Sequence, residues 1–410
     1  MIYLKHAFLS EPWWQAYARV TALLAEREPS VQDAVSAHAE LLASLVAAGV
    51  ADLQSALATS LAGAQPPFDV VEAVKTGEAS GALRLLAHDL AAVAEACRRD
   101  LVAEFVALGV SVPAGVELAP SLTDGPMARA VASLRGLLGG HDGAVMARSY
   151  ARHLEEHGSG VASLHAALAW RSGALHGVKA PVTARLDDLH GLETQLARLR
   201  ENTEALLAGA PAHDALLYGP RGSGKSTAVR ALLTEYQARG LRLIELPLEA
   251  LGELPAVLNA VADSPLRFVI FIDDLSFTDA DGRYGPLKRV LDGGLALRPA
   301  NAVVHATSNR RHLVKERLSD RPDPLDDDVH GWDTHNELLA LSDRFGLVLT
   351  FPGAGQKRYL ELVVALAIRA GIPTGAALEE EAVRFAEWGN GYSGRTARQF
   401  VDSLLRPTSG

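Results

Sequence analysis

Eight consecutive residues, Gly219-Pro220-Arg221-Gly222-Ser223-Gly224-Lys225-Ser226, fit the spacing G-x-x-x-x-G-K-[ST]. Three glycines let the backbone wrap until its N–H groups converge on an anion. A following helix offers the positive end of its dipole to the same anion. Lys225 can then reach terminal phosphate oxygens, and the Ser226 hydroxyl can ligate Mg2+. Thr227 completes the polar opening of that helix. The context suits this chemistry: a short apolar run (ALLY) precedes the loop and a helical pattern (TAVRALLTEYQAR) follows it. The lysine stands out by composition, since only seven of 39 basic residues are lysine.

Two further apolar runs end in polar groups of the matching kind. Arg267–Asp274 reads RFVIFIDD, five apolar residues and then two carboxylates, 48 positions after Lys225. Five apolar residues in a row suit a strand buried on both faces. Asp273 is the expected Mg2+ partner. Asp274 could orient or deprotonate an attacking water. Ala302–Asn309 reads AVVHATSN, and the amide of Asn309 could hold that water or a terminal phosphate. Two arginines have the right charge to stabilise a phosphoryl transition state. Arg344 stands in Ser342-Asp343-Arg344-Phe345-Gly346, and Arg395 opens the last helical pattern after Gly391-Tyr392-Ser393-Gly394. Spacing alone leaves each of them equally readable as a surface or helix-start arginine.

These groups need a sheet to hold them. From about residue 181, short apolar runs at 215–218, 241–246, 268–272, 302–306 and 347–351 alternate with helical patterns. Such alternation indicates an α/β domain with a parallel sheet. The expected division is an all-helical domain over 1–180, an α/β core over 181–353 and a helical lid over 354–410. Residues 310–333, dense in Asp, Pro and Arg, read as an exposed loop. The 410 residues suffice for two or three cores. A net charge of −10 argues against a chain that coats nucleic acid nonspecifically. One cysteine, Cys97, excludes an internal disulfide framework and any Cys-based zinc site. The opening MIYLKHAFLSEPWW lacks the layout of a secretory signal. The most apolar run, Leu41 to Ala51, is 11 residues long, short of the ~18 a membrane span needs. A cytoplasmic protein with no membrane segment is the expectation.

The order of phosphate loop, acidic strand end, polar strand tip, Asp-Arg-Phe-Gly and a helical segment with an arginine resembles an AAA+ ATPase. The stretches LLYGPRGSGKST, GLRLIELP, RFVIFIDDLSF, LDGGLALRPANAVVHATSNRRHL, LSDRFGL and GYSGRTARQF resemble a bacterial ATP-binding family labelled domain of unknown function 815. The resemblance spans roughly 185–405. It implies a five-stranded parallel sheet ordered 5-1-4-3-2 with a C-terminal lid. It implies Lys225 and Ser226 as Walker A, Asp273 with Asp274 as Walker B, and Asn309 as sensor 1. Arg344 would be an arginine finger acting in trans within a homo-oligomer. Arg395 would be sensor 2, with Arg398 as second choice. Leu186–Leu192 (LDDLHGL) would line an adenine pocket. ATP, ADP and Mg2+ are the implied ligands, with a protein or nucleic-acid client. Most active members of the wider class carry Asp-Glu where this chain has Asp273-Asp274. The shorter second acid points to slow turnover or to ATP used as a switch.

Other groups invite weaker readings. His153-Leu154-Glu155-Glu156-His157 matches H-x-x-E-H, but Gly158-Ser159-Gly160 ends the helix at once, so a solvated helix end is expected rather than zinc. Trp13 and Trp14 are expected in a core, as is Cys97. Arg310-Arg311-His312 is a basic spot that could touch a phosphate or a neighbouring subunit.

Overall fold

The structure is a computed structural model, and it describes residues 4, 8–66, 68–76, 81–113, 125–179, 181, 183–275, 284–291, 298–309, 344–389 and 391–405. The 310–333 loop, including Arg310-Arg311-His312, lies outside the described residues. The chain divides into two units, Met1–Ala166 with Ser264–Leu266, and Ala167–Asp263 with Arg267–Gly410.

Among the described residues the regular structure of the first unit is helical, with the principal helices Pro12–Leu24, Val31–Ala48, Leu53–Gly63, Gly81–Arg98, Pro126–Leu138 and Gly143–His157. Their starts are set locally. Ser30, Asp52, Asp69, Asp100 and Asp142 each accept a backbone N–H of the first turn. Such caps contribute about 1 kcal/mol each. The core gathers Trp13, Leu57, Leu61, Leu86, Leu90 and Tyr150, with Trp14 and Cys97 packed against it. Burial raises the Cys97 thiol to about 12, so it behaves as a small hydrophobe. No single described helix is long and apolar enough to cross a membrane.

His153 corrects the expectation of a solvated helix end. It is 1% exposed, and its Nδ1 lies 3.2 Å from Ser133 Oγ. Burial, with His157 second, lowers its pKa to about 3. The apolar face of this helix turns His153 inward along with Met146, Tyr150 and Leu154.

The second unit is built on one sheet, and it corrects two expectations. The sheet has seven strands, not five, in the order β2-β1-β4-β5-β6-β3-β7. The strands are β1 Ala167–Arg171, β2 Ala174–Gly177, β3 Ala215–Tyr218, β4 Leu241–Glu245, β5 Arg267–Ile272, β6 Ala302–Ser308 and β7 Leu347–Thr350. Strands β3 to β7 are parallel to their neighbours and, numbered from β3, run 5-1-4-3-2 across the sheet. The difference is the added hairpin: β1 joins β4 in parallel, and β2 pairs with β1 antiparallel.

The hairpin also moves the end of the helical unit from 180 to 166. Its two-residue turn is Ser172-Gly173, with φ of +50° and +75°. Positive φ at both central positions matches the right-handed twist of the flanking strands. Four of the five β1 residues are buried, so β1 shows no alternation, and its Ala and Leu read as helix formers.

Strand β6 is buried along its whole length, and β5 along all but Arg267. Helices cover the sheet, and three more follow it as a lid: Gln356–Arg369, Ala376–Trp388 and Gly394–Leu404. The lid has its own small core around Tyr359, Val363, Ala382, Ala397 and Phe400.

His305, in the middle of β6, is fully buried, and burial lowers its pKa to about 3. Between about pH 6.5 and 3 the unfolded chain takes up a proton that the folded chain refuses. Stability is therefore present above the unfolded value and lost as pH falls through this window. His305→Leu is expected to reduce the pH dependence of the unfolding free energy by about 1.4 kcal/mol per pH unit between pH 6 and 4. Urea titrations at several pH values measure this. Identical slopes in variant and parent exclude His305 as the source.

Candidate phosphate and metal site

The loop leaves the carboxyl end of β3, the edge where open α/β sheets bind ligands. Gly219 N donates to Ser308 O, and Phe351 N donates to Tyr218 O, so the loop emerges between β6 and β7. A Cβ on Gly219 would lie 2.0 Å from the Phe351 carbonyl oxygen. Gly219→Ala is expected to cost about 3 kcal/mol by overpacking against backbone. Chemical denaturation tests this, and an unchanged midpoint counts against the close approach.

Gly222 and Gly224 have φ of +74° and +99°, which turns the chain into the helix Lys225–Tyr236. The first amides of that helix have no partner within it and face the loop. Ser223 Oγ is buried with no hydrogen-bond partner among the described residues. Lys225 is 6% exposed, and its Nζ donates to Gly219 O at 2.7 Å, Pro220 O at 2.9 Å and Asn309 Oδ1 at 3.2 Å. Burial lowers its pKa below the ordinary lysine value, partly offset by Asp274 and Asp273. Pro220, Arg221 and Thr227 are exposed around this centre.

The acidic pair lies against the loop. Asp273 Oδ1 accepts from Ser226 Oγ at 2.6 Å. Asp274 Oδ1 accepts from Asn309 Nδ2, so Asn309 bridges Lys225 and Asp274. Asp274 has φ +57°, an unfavourable region for a residue with a Cβ. Such strain persists only where neighbours over-determine it.

Two contributors escaped the sequence reading. Thr307 donates to Asp273 Oδ1 at 2.6 Å, and Arg230 donates to Asp273 Oδ2 at 3.1 Å. Arg230 also lies over the Phe271 ring, 5.2 Å from its centroid. Both had a sequence signal. Thr307 and Asn309 are two apart across the end of a strand, the spacing that returns a side chain to the same side, and Ser226 and Arg230 are four apart on one face of a helix.

The lid and the segment before the loop close the site. Gly394 N donates to Gly222 O at 3.1 Å, and a Cβ on Gly222 would meet Ser393 at 2.8 Å and Arg395 Cβ at 3.8 Å. Arg395 therefore starts beside the loop. Arg398 instead lines a cavity of about 520 Å³ with Thr234, Arg369 and Asp402. In LDDLHGL, Leu189 and Leu192 lie against Gly224. The lid helix Gln356–Arg369 holds that segment at two points: Arg358 Nε donates to His190 O at 2.9 Å, and Arg369 pairs with Asp188. Arg369 holds the Asp188 carboxyl below its ordinary pKa.

Arg344 lies elsewhere. It precedes β7, and in the parallel register Leu347 pairs with Ala215 while Thr350 pairs with Tyr218 beside the loop. Three strand steps of ~3.3 Å put Arg344 roughly 10 Å or more from its own phosphate loop, at the opposite end of the sheet.

Fold and site together define an α/β protein with a mostly parallel sheet, a glycine-rich loop at its carboxyl edge and a C-terminal group of three helices. Residues 163–407 match the family described as "Protein of unknown function (DUF815)", and the chain belongs to that family. No curated protein matches the sequence. Among solved structures, RuvB of Thermotoga maritima, a Holliday junction branch migration motor, is similar at 18% identity with a TM-score of 0.36. That similarity covers 53% of this chain and 63% of the RuvB chain, so this chain spans just under two thirds of RuvB. A second Thermotoga maritima RuvB structure gives 16% identity, coverage of 54% and 72%, and a TM-score of 0.35.

Proposed function

We propose that the protein is an AAA+ type ATPase that binds ATP with Mg2+ and hydrolyses its terminal phosphate. The observation that carries this reading is the convergence of Lys225, Ser226, Asp273, Asp274 and Asn309 into one hydrogen-bonded cluster at the carboxyl edge of the sheet. The residues present fit the ligands. Ser226 Oγ and the Asp273 carboxylate are hard oxygen donors of the kind Mg2+ prefers. Ser223 Oγ is a buried hydroxyl in the loop that an oxyanion would satisfy. When bound, Mg2+ neutralises charge on the phosphate oxygens.

The chain's own groups then have distinct tasks. Lys225 exchanges loop carbonyls for terminal phosphate oxygens. Leu189 and Leu192, beside Gly224, supply apolar surface for the base. Arg395 approaches the phosphates from the lid. Asp274 and Asn309 hold the water whose oxygen bonds to the terminal phosphorus as the bridging bond breaks, releasing ADP and inorganic phosphate. Arg344 serves the loop of a second copy. Isothermal titration with ATP and a phosphate-release assay test the reading. Absence of ATP binding at millimolar concentration overturns it.

One observation favours a second reading, an ATP-gated scaffold with little turnover. The Asp274 carboxylate is already engaged by Asn309, and it is one methylene shorter than glutamate. Asp274→Glu separates the readings: a slow hydrolase is expected to accelerate severalfold, whereas a pure switch stays silent.

A further inference from the structure

Thr307 makes three hydrogen bonds to three successive residues. Its Oγ1 donates to Asp273 Oδ1 at 2.6 Å. The same oxygen accepts from Asp274 N at 2.9 Å. Its carbonyl accepts from Leu275 N at 2.7 Å. It is 1% exposed, so these bonds form out of water. The hydroxyl's single donor is thus committed to Asp273 and one of its acceptor sites to Asp274.

These bonds act where the chain is strained. Asp274 sits at φ +57°, two residues past the end of β5, a conformation that sends successive side chains in directions a strand would not. Its amide is held by Thr307 and its carboxylate by Asn309, both from the end of β6. The neighbouring Asp273 carboxylate is held on both sides. Oδ1 takes hydroxyls from Ser226 and Thr307, and Oδ2 takes Arg230. Ser226 is itself a proposed metal ligand and Arg230 is a cation. Among these partners of Asp273, Thr307 is the neutral one not already assigned to the ligands.

We infer that Thr307 is the positioning residue of the metal site: one hydroxyl aims the Asp273 carboxylate and pins the backbone that aims Asp274. It touches neither phosphate nor water and acts through the two acids. The inference rests on the ATPase reading.

Thr307→Val keeps the shape and the β-branch and removes the hydroxyl. Thr307→Ser keeps the hydroxyl and removes the methyl. Three quantities are compared in the full chain: Mn2+ affinity by electron paramagnetic resonance with a nonhydrolysable ATP analogue, ATP affinity without metal, and turnover. Partners one layer behind metal ligands typically contribute ten- to hundredfold in affinity or activity. Thr307→Val is therefore expected to weaken Mn2+ binding and lower kcat by about ten- to hundredfold each. Metal-free ATP affinity is expected to stay within about twofold, because the loop and lid are untouched. Thr307→Ser is expected to restore both losses. Parental Mn2+ affinity and turnover in Thr307→Val overturn the inference, as does a Thr307→Ser variant no better than valine. If the valine variant does not fold, Thr307→Ala and Thr307→Ser are compared in its place, with the same hydroxyl-dependent difference expected and equality overturning it. Parent protein that binds no ATP overturns the ATPase reading itself, a failure visible before any variant is made.

Discussion

Replacing Lys225 with alanine is expected to abolish measurable ATP binding while leaving the sheet folded. The ammonium lies in the loop, 2.7 and 2.9 Å from the carbonyls of Gly219 and Pro220, with burial weakening its hold on the proton. A phosphate offers it charged oxygens in place of neutral carbonyls. A hydrogen bond to a charged group contributes about 1.5–3 kcal/mol, so losing two such bonds weakens binding at least about a hundredfold. Alanine also leaves two loop carbonyls without this donor. Lys225→Met, which keeps the packed stem, separates that structural cost from the lost charge. Titration calorimetry with ATP and a melting curve on each variant give the answer. Unchanged ATP affinity in folded Lys225→Ala would falsify the loop assignment.

The second large effect belongs to Arg344. Its place before β7, at the opposite end of the sheet from the loop, keeps it from its own site. Its proposed work is therefore in a neighbouring copy, where an arginine supplied in trans is typically worth about 10³-fold or more in kcat. Arg344→Ala is expected to lose activity of that order and to keep ATP affinity, because the loop, the acids and the lid are intact. Mixing it with Lys225→Ala provides the decisive comparison. Each variant alone is nearly inactive. A mixed assembly pairs an intact loop with an intact Arg344, so a fraction of the activity returns. An assembly of unchanged size with no recovered activity rules out sharing across an interface.

Much of the site was legible because its chemistry is local. The eight residues from Gly219 to Ser226 make loop, lysine and hydroxyl in one contiguous stretch, and the tips of β5 and β6 carry their polar groups at the end of apolar runs. Strand patterns in the second unit were readable for the same reason. The hairpin β1–β2 is hard to see in the sequence, although Ser172-Gly173 between two short apolar runs is a turn signal. Burial of β1 on both faces erased its alternation, and Ala and Leu favour helix in isolation. The burial of His153 is not legible locally, because which face of a helix is buried depends on partners such as Ser133 that lie on another helix.

The amino-acid sequence by itself determined the glycine-rich loop and the polar groups beside it. Left-handed glycines, a following helix and a neighbouring lysine act through bonds a few residues long. Only the tertiary structure decided the rest. It brings Ser393 and Arg395 against Gly222 while directing Arg398 into another cavity. It sets Arg344 at the far end of the sheet, and it lets Thr307 grip Asp273, Asp274 and Leu275 at once. The physical reason is that parallel strands meet only after long crossovers. Residues distant in sequence then share one edge of the sheet, and their hydrogen bonds depend on strand order and register rather than on spacing along the chain.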